Sequence, residues 1–393
     1  MADHIPFITS QDALKLTAKH YADADFARVS LERADAFATG LPQPIKLWLD
    51  PSIDGLHDLE SRQSRDERPN LWFEFMQQFA GFNEIGEGLF WVKPDSKLVE
   101  EFVMSLLDAC NKYKPAWLTI PQLPMVNDSS RNKINLAFAK ATGKWKSKRS
   151  FSGRLILPLV FTHQDQLNGK TERNPKVKHA SRCYHEAQAD GFWVVDQSLT
   201  DDSGSKTLRR PRFPGIVDLH TELNAEIPSR IRIAGPYWGL NLVLWARGLV
   251  DYPAIGVGTS YQYFLAGGFA NTPATCVAIT SLRRRVGVGR LIHWLDKATK
   301  ILGSNHAVSV ELIQIRKQIN LLSASDVARE QVAKFYKLWF ELIASKPQAG
   351  RSMALFQDLA AAYALGRSLP EFEDEGTARR PESVVEPFML NCL

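Results

Sequence analysis

Cysteine is scarce in this chain, and the four present, Cys110, Cys183, Cys276 and Cys392, form no C-x-x-C pair. That pattern excludes a disulfide framework and a zinc ribbon and suits a reducing compartment, so a cytoplasmic protein with no structural zinc and no metal site is expected. Long apolar runs are also missing. The longest candidate, WGLNLVLWARGLV, is too short for a membrane span and is broken by Arg247. The opening MADHIPFITSQD has no basic stretch leading into an apolar one, so neither a secretory leader nor a membrane partner is expected. A phosphate-binding G-x-x-x-x-G-K-[ST] loop, a completed G-x-G-x-x-G, a G-x-S-x-G elbow, an H-E-x-x-H helix and the kinase set are all absent, which leaves no nucleotide-cofactor motif.

What remains is ample material for a core. The chain has 393 residues, 45% of them hydrophobic, enough for one large domain with appendages or for two ordinary ones. Ten Trp and 21 Phe imply an aromatic-rich interior or a stacking surface. The net charge of +5 is modest for this length and does not by itself call for a polyanionic partner.

Short apolar runs ended by polar, Gly or Pro residues recur along the chain and are separated by stretches of helical period. They are IKLWLD (45–50), GLFWVKP (88–94), AWLTIP (116–121), GRLILPLVF (153–161), GFWVVD (191–196), RIRIAG (230–235), PAIGVG (253–258) and TCVAITSL (275–282). Strands alternating with helices, several of them nearly all apolar, predict a (β/α)8 TIM-type barrel, with a doubly wound open sheet as the alternative. The expected organisation is an N-terminal helical segment over 1–40, the barrel over 41–300, a C-terminal helical appendage over 301–370 and an exposed tail over 371–393. The appendage helices offer a face for a protein partner.

In a barrel the chemistry sits at the C-terminal ends of the strands. Those ends carry Asp50, Lys93, His163 and Asp196, the candidate catalytic residues. An aspartate closing an apolar strand is costly to desolvate without a partner, so Asp50 and Asp196 are either acid/base or nucleophilic groups sharing one mouth, or caps of the next helix. His163 would be a general base, and Lys93 an electrostatic helper. A phosphate grip is expected at AIGVGTS and SLRRRVGVGR, with Gly258, Ser260, Gly287 and Gly289 presenting backbone amides and Arg283, Arg284 and Arg285 supplying charge. Alternation along a strand means that only some of these arginines can point inward.

One further feature is defined by what it lacks. From Arg131 to Arg154 there are eight Lys or Arg and no Asp or Glu. Within it, Lys144, Trp145, Lys146, Lys148 and Arg149 form a candidate nucleic-acid contact, with lysines tracking phosphates and the indole stacking on a base. Three function classes are compatible with these features. The first is a barrel enzyme on a phosphate-bearing nucleotide or nucleic acid, a hydrolase or transferase using carboxylate-based glycosyl-bond or phosphate-ester chemistry. The second is an inert barrel serving as a nucleic-acid-binding subunit of a larger assembly. The third is a metabolic enzyme on a small sugar phosphate, for which the basic segment is a solvated helix face.

Overall fold

The computed structural model describes residues 5–8, 25–35, 45–53, 71–82, 96–125, 129–162, 167–196, 199, 206–257, 276–369 and 385–393. Its centre is a curled parallel sheet of seven strands taken in chain order: β2 (Phe26–Ser30), β3 (Lys46–Asp50), β4 (Trp117–Thr119), β5 (Arg154–Phe161), β6 (Gly191–Asp196), β7 (Arg232–Ala234) and β8 (Tyr252–Val257). A four-residue strand, β1 (Ile5–Ile8), pairs with β8 from Ile5–Ala254 to Ile8–Val257 and meets β2 at Phe7–Arg28. Parallel neighbours need crossover connections, and helices supply most of them. These are α1 (Leu71–Met76), α2 (Ser96–Asn111), α3 (Ser129–Lys148), α4 (Lys170–Glu186), α5 (Lys206–Glu226) and α6 (Leu240–Ala246).

The strand sequences explain their places. Strands β5 and β6 are buried along nearly their whole length, as expected for a parallel sheet covered on its outer face and filled on its inner one. Pro158 within β5 removes a ladder donor, yet β4 has already ended opposite Ile156, so no backbone partner is lost on that side. Helix α6 is buried all round, which suits LNLVLWA, where the one polar residue, Asn241, donates to the Ala254 carbonyl at 2.7 Å. Gly235 closes β7 at φ 104°, where a Cβ would come within 2.6 Å of the Ala254 carbonyl oxygen, so no other residue fits.

Two expectations change. The N-terminal 1–40 segment contributes strands β1 and β2 to the sheet rather than only helices. Alternation in FARVS is too short to compete with a helical reading, and pairing of all five residues with β3 decides it. The apolar run at 275–282 is also not a strand of the parallel sheet. It forms β9 (Cys276–Ile279), which turns back through Arg283 in the left-handed region (φ 48°) and pairs antiparallel with β10 (Arg284–Gly287). The expected strand at 88–94 lies outside the described residues.

The β9–β10 ladder belongs with the C-terminal helices α7 (Val288–Leu302), α8 (Ala307–Leu321), α9 (Ala324–Ala344) and α10 (Gln348–Ser368). Val277, Ile279, Leu282, Val286, Leu291, Leu312 and Ile315 form a core separate from that of the sheet. Helices α9 and α11 (Val385–Leu390) also pack on the sheet region through aromatic pairs, and α10 through Arg351, whose guanidinium lies 4.3 Å from the Trp245 ring centroid. Trp238 stacks on Phe335 at 5.3 Å, Trp245 meets Phe340 at 4.4 Å, and Phe213 stacks on Phe388 at 5.4 Å. Among the described residues no helix is long and apolar enough to cross a membrane.

Candidate active site

Register and side-chain alternation together determine which residues line the interior of the curled sheet. Ser30 stands opposite Asp50 and Arg28 opposite Trp48, so Phe26, Arg28 and Ser30 of β2 share a face with Lys46, Trp48 and Asp50 of β3. Ring contacts identify that face as the inner one. Phe26 stacks on Trp117 at 3.7 Å, Trp117 meets Tyr252 at 5.0 Å, and Trp48 meets Trp193 edge-on at 5.3 Å. Aromatic residues therefore plug the lower interior, and polar groups gather at its C-terminal end.

There Arg28 donates to Asp50 Oδ2 from Nε at 2.8 Å and again from Nη2, and its guanidinium lies 4.9 Å from the centroid of the Trp193 ring. Asp50 Oδ1 accepts from the Ser52 amide at 2.9 Å. Both side chains are buried, and this pairing is what allows a charge to close an apolar strand. Ser52 adopts φ 55°, an uncommon conformation for a residue with a side chain, stabilised here by the bond from its amide to Asp50.

Glu32, just past the end of β2, completes the cluster. Ser30 Oγ donates to its Oε1 at 2.7 Å, while its buried Oε2 has no partner among the described residues. Burial holds the carboxyl above the usual range; Ser30's hydrogen bond, its own backbone and Arg33 oppose that shift, and the charge of Asp50 adds to it. The site thus joins an ion-paired carboxylate to a neighbouring carboxyl that retains its proton to higher pH. Arg28 and Glu32 escape a helical reading of residues 1–40, and Ser52 escapes because nothing in a polar loop distinguishes it; alternation in FARVS is the signal that marks Arg28, whereas Glu32 lies in the turn beyond that strand and has no such local mark.

Asp196 does not join this cluster. Trp193 faces inward, so Asp196, three residues further along the same strand, faces the helices. Arg212 of α5 donates to its Oδ2 at 2.5 Å and to the Thr162 carbonyl at 2.7 Å, tying the helix to the ends of β5 and β6. The buried Tyr237 hydroxyl, held well above its ordinary pKa by desolvation and then by the charge of Asp196, is part of the same outer assembly. Two strand-end aspartates on parallel strands therefore do not open on one cavity, because they differ in parity.

The expected phosphate grip is corrected in its described part. Arg283 forms a bidentate pair with Asp358 of α10 at 2.7 and 2.6 Å, and Asp358 also accepts from Trp339 at 2.9 Å. Arg284 is buried with its guanidinium 4.7 Å from the centroid of Trp294. Both arginines hold the hairpin to the C-terminal helices and are not at the end of a parallel strand. Gly287 caps α7 and Gly289 lies in its first turn; a Cβ at either meets nothing within 4 Å, so no close backbone approach requires glycine. The side chain of Arg285, and Lys93, His163, Gly258 and Ser260, lie outside the described residues.

The acid-free basic segment finds its acids in space. Glu100 of α2 takes Lys144 at 2.6 Å and Lys148 at 3.3 Å, Asp190 takes Lys146 at 3.1 Å, and Asp108 takes Arg149 at 2.7 Å. Trp145 is fully buried and donates to Asp108 Oδ1 at 2.9 Å, so its indole cannot stack on a base. Cys183 lies 3.5 Å from His179, but burial raises its thiol pKa to about 12, which leaves little thiolate near neutral pH. Among the described residues no group of His, Cys, Asp and Glu could hold a metal ion. Comparison with protein-family models gives no match, and comparison with curated proteins gives none.

Proposed function

We propose that this chain is an enzyme built on a closed (β/α)8 barrel whose reaction centre is Glu32 and Asp50, with glycosyl-bond chemistry favoured over phosphate-ester chemistry. Pairing of β1 with both β2 and β8 supports closure. The observation carrying the reaction class is the pair of carboxyl groups in contrasting environments at the C-terminal end of β2 and β3. Burial keeps Glu32 protonated beyond the usual carboxylate range, which suits a general acid, while Asp50 is paired with Arg28. A carboxylate beside a carboxylic acid is the equipment glycosyl transfer needs, since one group protonates the leaving oxygen and the other stabilises or attacks the cationic sugar centre. Phosphate-ester chemistry is less well supported, because Arg28 is engaged by Asp50, and Arg283 and Arg284 hold the hairpin.

Turnover of p-nitrophenyl glycosides and of bis-p-nitrophenyl phosphate tests this reading. Glycoside hydrolysis is expected, falling at least 100-fold in both Glu32→Gln and Asp50→Asn. Activity falls as pH rises through the raised pKa of Glu32, because only the protonated form donates. Hydrolysis confined to the phosphodiester, or unchanged rates in both variants, overturns the assignment.

The nucleic-acid-binding subunit is retained as a second reading on one observation: the Lys144 and Lys148 side chains are 59% and 62% exposed despite their shared partner. Salt-dependent retention of an oligonucleotide that is lost in the Lys144→Gln/Lys148→Gln protein tests it.

A further inference from the structure

We propose that the cleft between α8, α9 and the β9–β10 hairpin binds a small, uncharged, planar ligand that carries a hydrogen-bond donor beside an acceptor, as a lactam or nucleobase edge does. This site lies in the C-terminal core and does not depend on the Glu32–Asp50 reading. The cleft has a volume of about 310 Å³, at the small end of ligand pockets. Its floor is apolar and buried, formed by Ala278, Ile315, Val327 and Phe335.

Polar groups in the cleft specify the ligand. Gln331 donates to Gln318 Oε1 at a long 3.3 Å, and that contact leaves Gln331 Oε1 buried with no partner among the described residues. A buried acceptor without a donor is costly, and each such atom calls for an explanation. The exposed Gln318 offers an amide nitrogen that makes no hydrogen bond among the described residues. Gln331 thus offers an acceptor and Gln318 a donor on two residues joined by one hydrogen bond in the cleft lining, a set that a cis-amide edge can complement.

Charge and hydrogen bonding together disfavour an ionic ligand. Glu311 also lines the cleft, yet its oxygens already accept from the amides and hydroxyls of both Thr280 and Ser281. Glu330 and Lys334 add one charge of each sign, so with Glu311 the lining is net negative, which repels an anion, while the fully engaged oxygens of Glu311 leave a cation no open carboxylate there. A flat ring would cover the apolar floor while its lactam edge met the two amides.

The full chain titrated with 2-pyridone, the smallest lactam ring, and with N-methyl-2-pyridone, which lacks the donor, provides the test by ligand-observed NMR. Saturable binding of 2-pyridone at least tenfold tighter than that of the methylated ring is expected. Gln331→Leu should lose that preference, and Val327→Met, which fills the floor, should weaken both ligands at least tenfold. Asp50→Asn should bind 2-pyridone as the parent does, which separates this site from the reaction centre. Absence of saturable binding to the folded parent overturns the proposal, as does equal affinity for the two rings or undiminished binding in both cleft variants.

Discussion

His220 provides a measurable link between buried chemistry and stability. It lies in α5 with no solvent exposure, and neither ring nitrogen has a partner among the described residues. Burial, with a smaller contribution from Arg232, lowers its pKa from 6.5 to about 3. The folded chain therefore holds the ring neutral over a range in which the unfolded chain protonates it. Stability from this group is intact above pH 6.5 and is lost progressively as the pH falls toward 3. At about 1.36 kcal/mol per pH unit, acidification to pH 5 should remove about 2 kcal/mol, and the full loss should approach 4–5 kcal/mol. Urea unfolding of the parent and of His220→Leu at pH 7.5 and pH 5 isolates the effect, since all other titrating groups are common to both proteins. The variant should lose about 2 kcal/mol less than the parent between the two pH values. At pH 7.5 it should be at least as stable as the parent, because two buried nitrogens without partners are removed. Equal acid sensitivity in parent and variant would refute the reasoning by showing that the folded state protonates His220 as readily as the unfolded chain does.

Arg28→Ala should cost about 3–5 kcal/mol by leaving the Asp50 charge buried and unpaired, whereas Arg28→Met combined with Asp50→Leu should recover most of that loss in chemical denaturation. Trp145→Ala should cost about 3–5 kcal/mol, while Lys144→Gln should leave the melting temperature nearly unchanged; the reverse order in thermal melts would contradict the buried placement of the indole. Arg283→Ala should cost about 1.5–3 kcal/mol through loss of the charged hydrogen bonds to Asp358. Gly289→Ala should instead stabilise by up to ~1 kcal/mol, since the position is helical and open, and a destabilising result in urea titrations would show that the glycine has a conformational role.

Features carried by local pattern were legible before any fold was known. The apolar runs of β5 and β6, the helical periods of α2 and α9, and an α/β parallel arrangement follow from burial on two faces or one, which leaves a direct imprint on residue order. Asp50 at the end of an apolar strand was visible for the same reason. Pairing left no such imprint. TCVAITSL has the composition of a parallel strand, yet only the turn at Arg283 and the core behind it make it half of an antiparallel hairpin. Asp196 and Asp50 look alike along the chain, and their opposite facing emerges from register with Trp193 and Trp48. The basic run from Arg131 to Arg154 contains no acid, but Glu100, Asp108 and Asp190 reach it from other elements. Arg28 and Glu32 become a site only because β2 lies beside β3. Local sequence governs which faces are buried; partners distant along the chain govern which charge meets which, because electrostatic and hydrogen-bond energies depend on separations that folding alone creates.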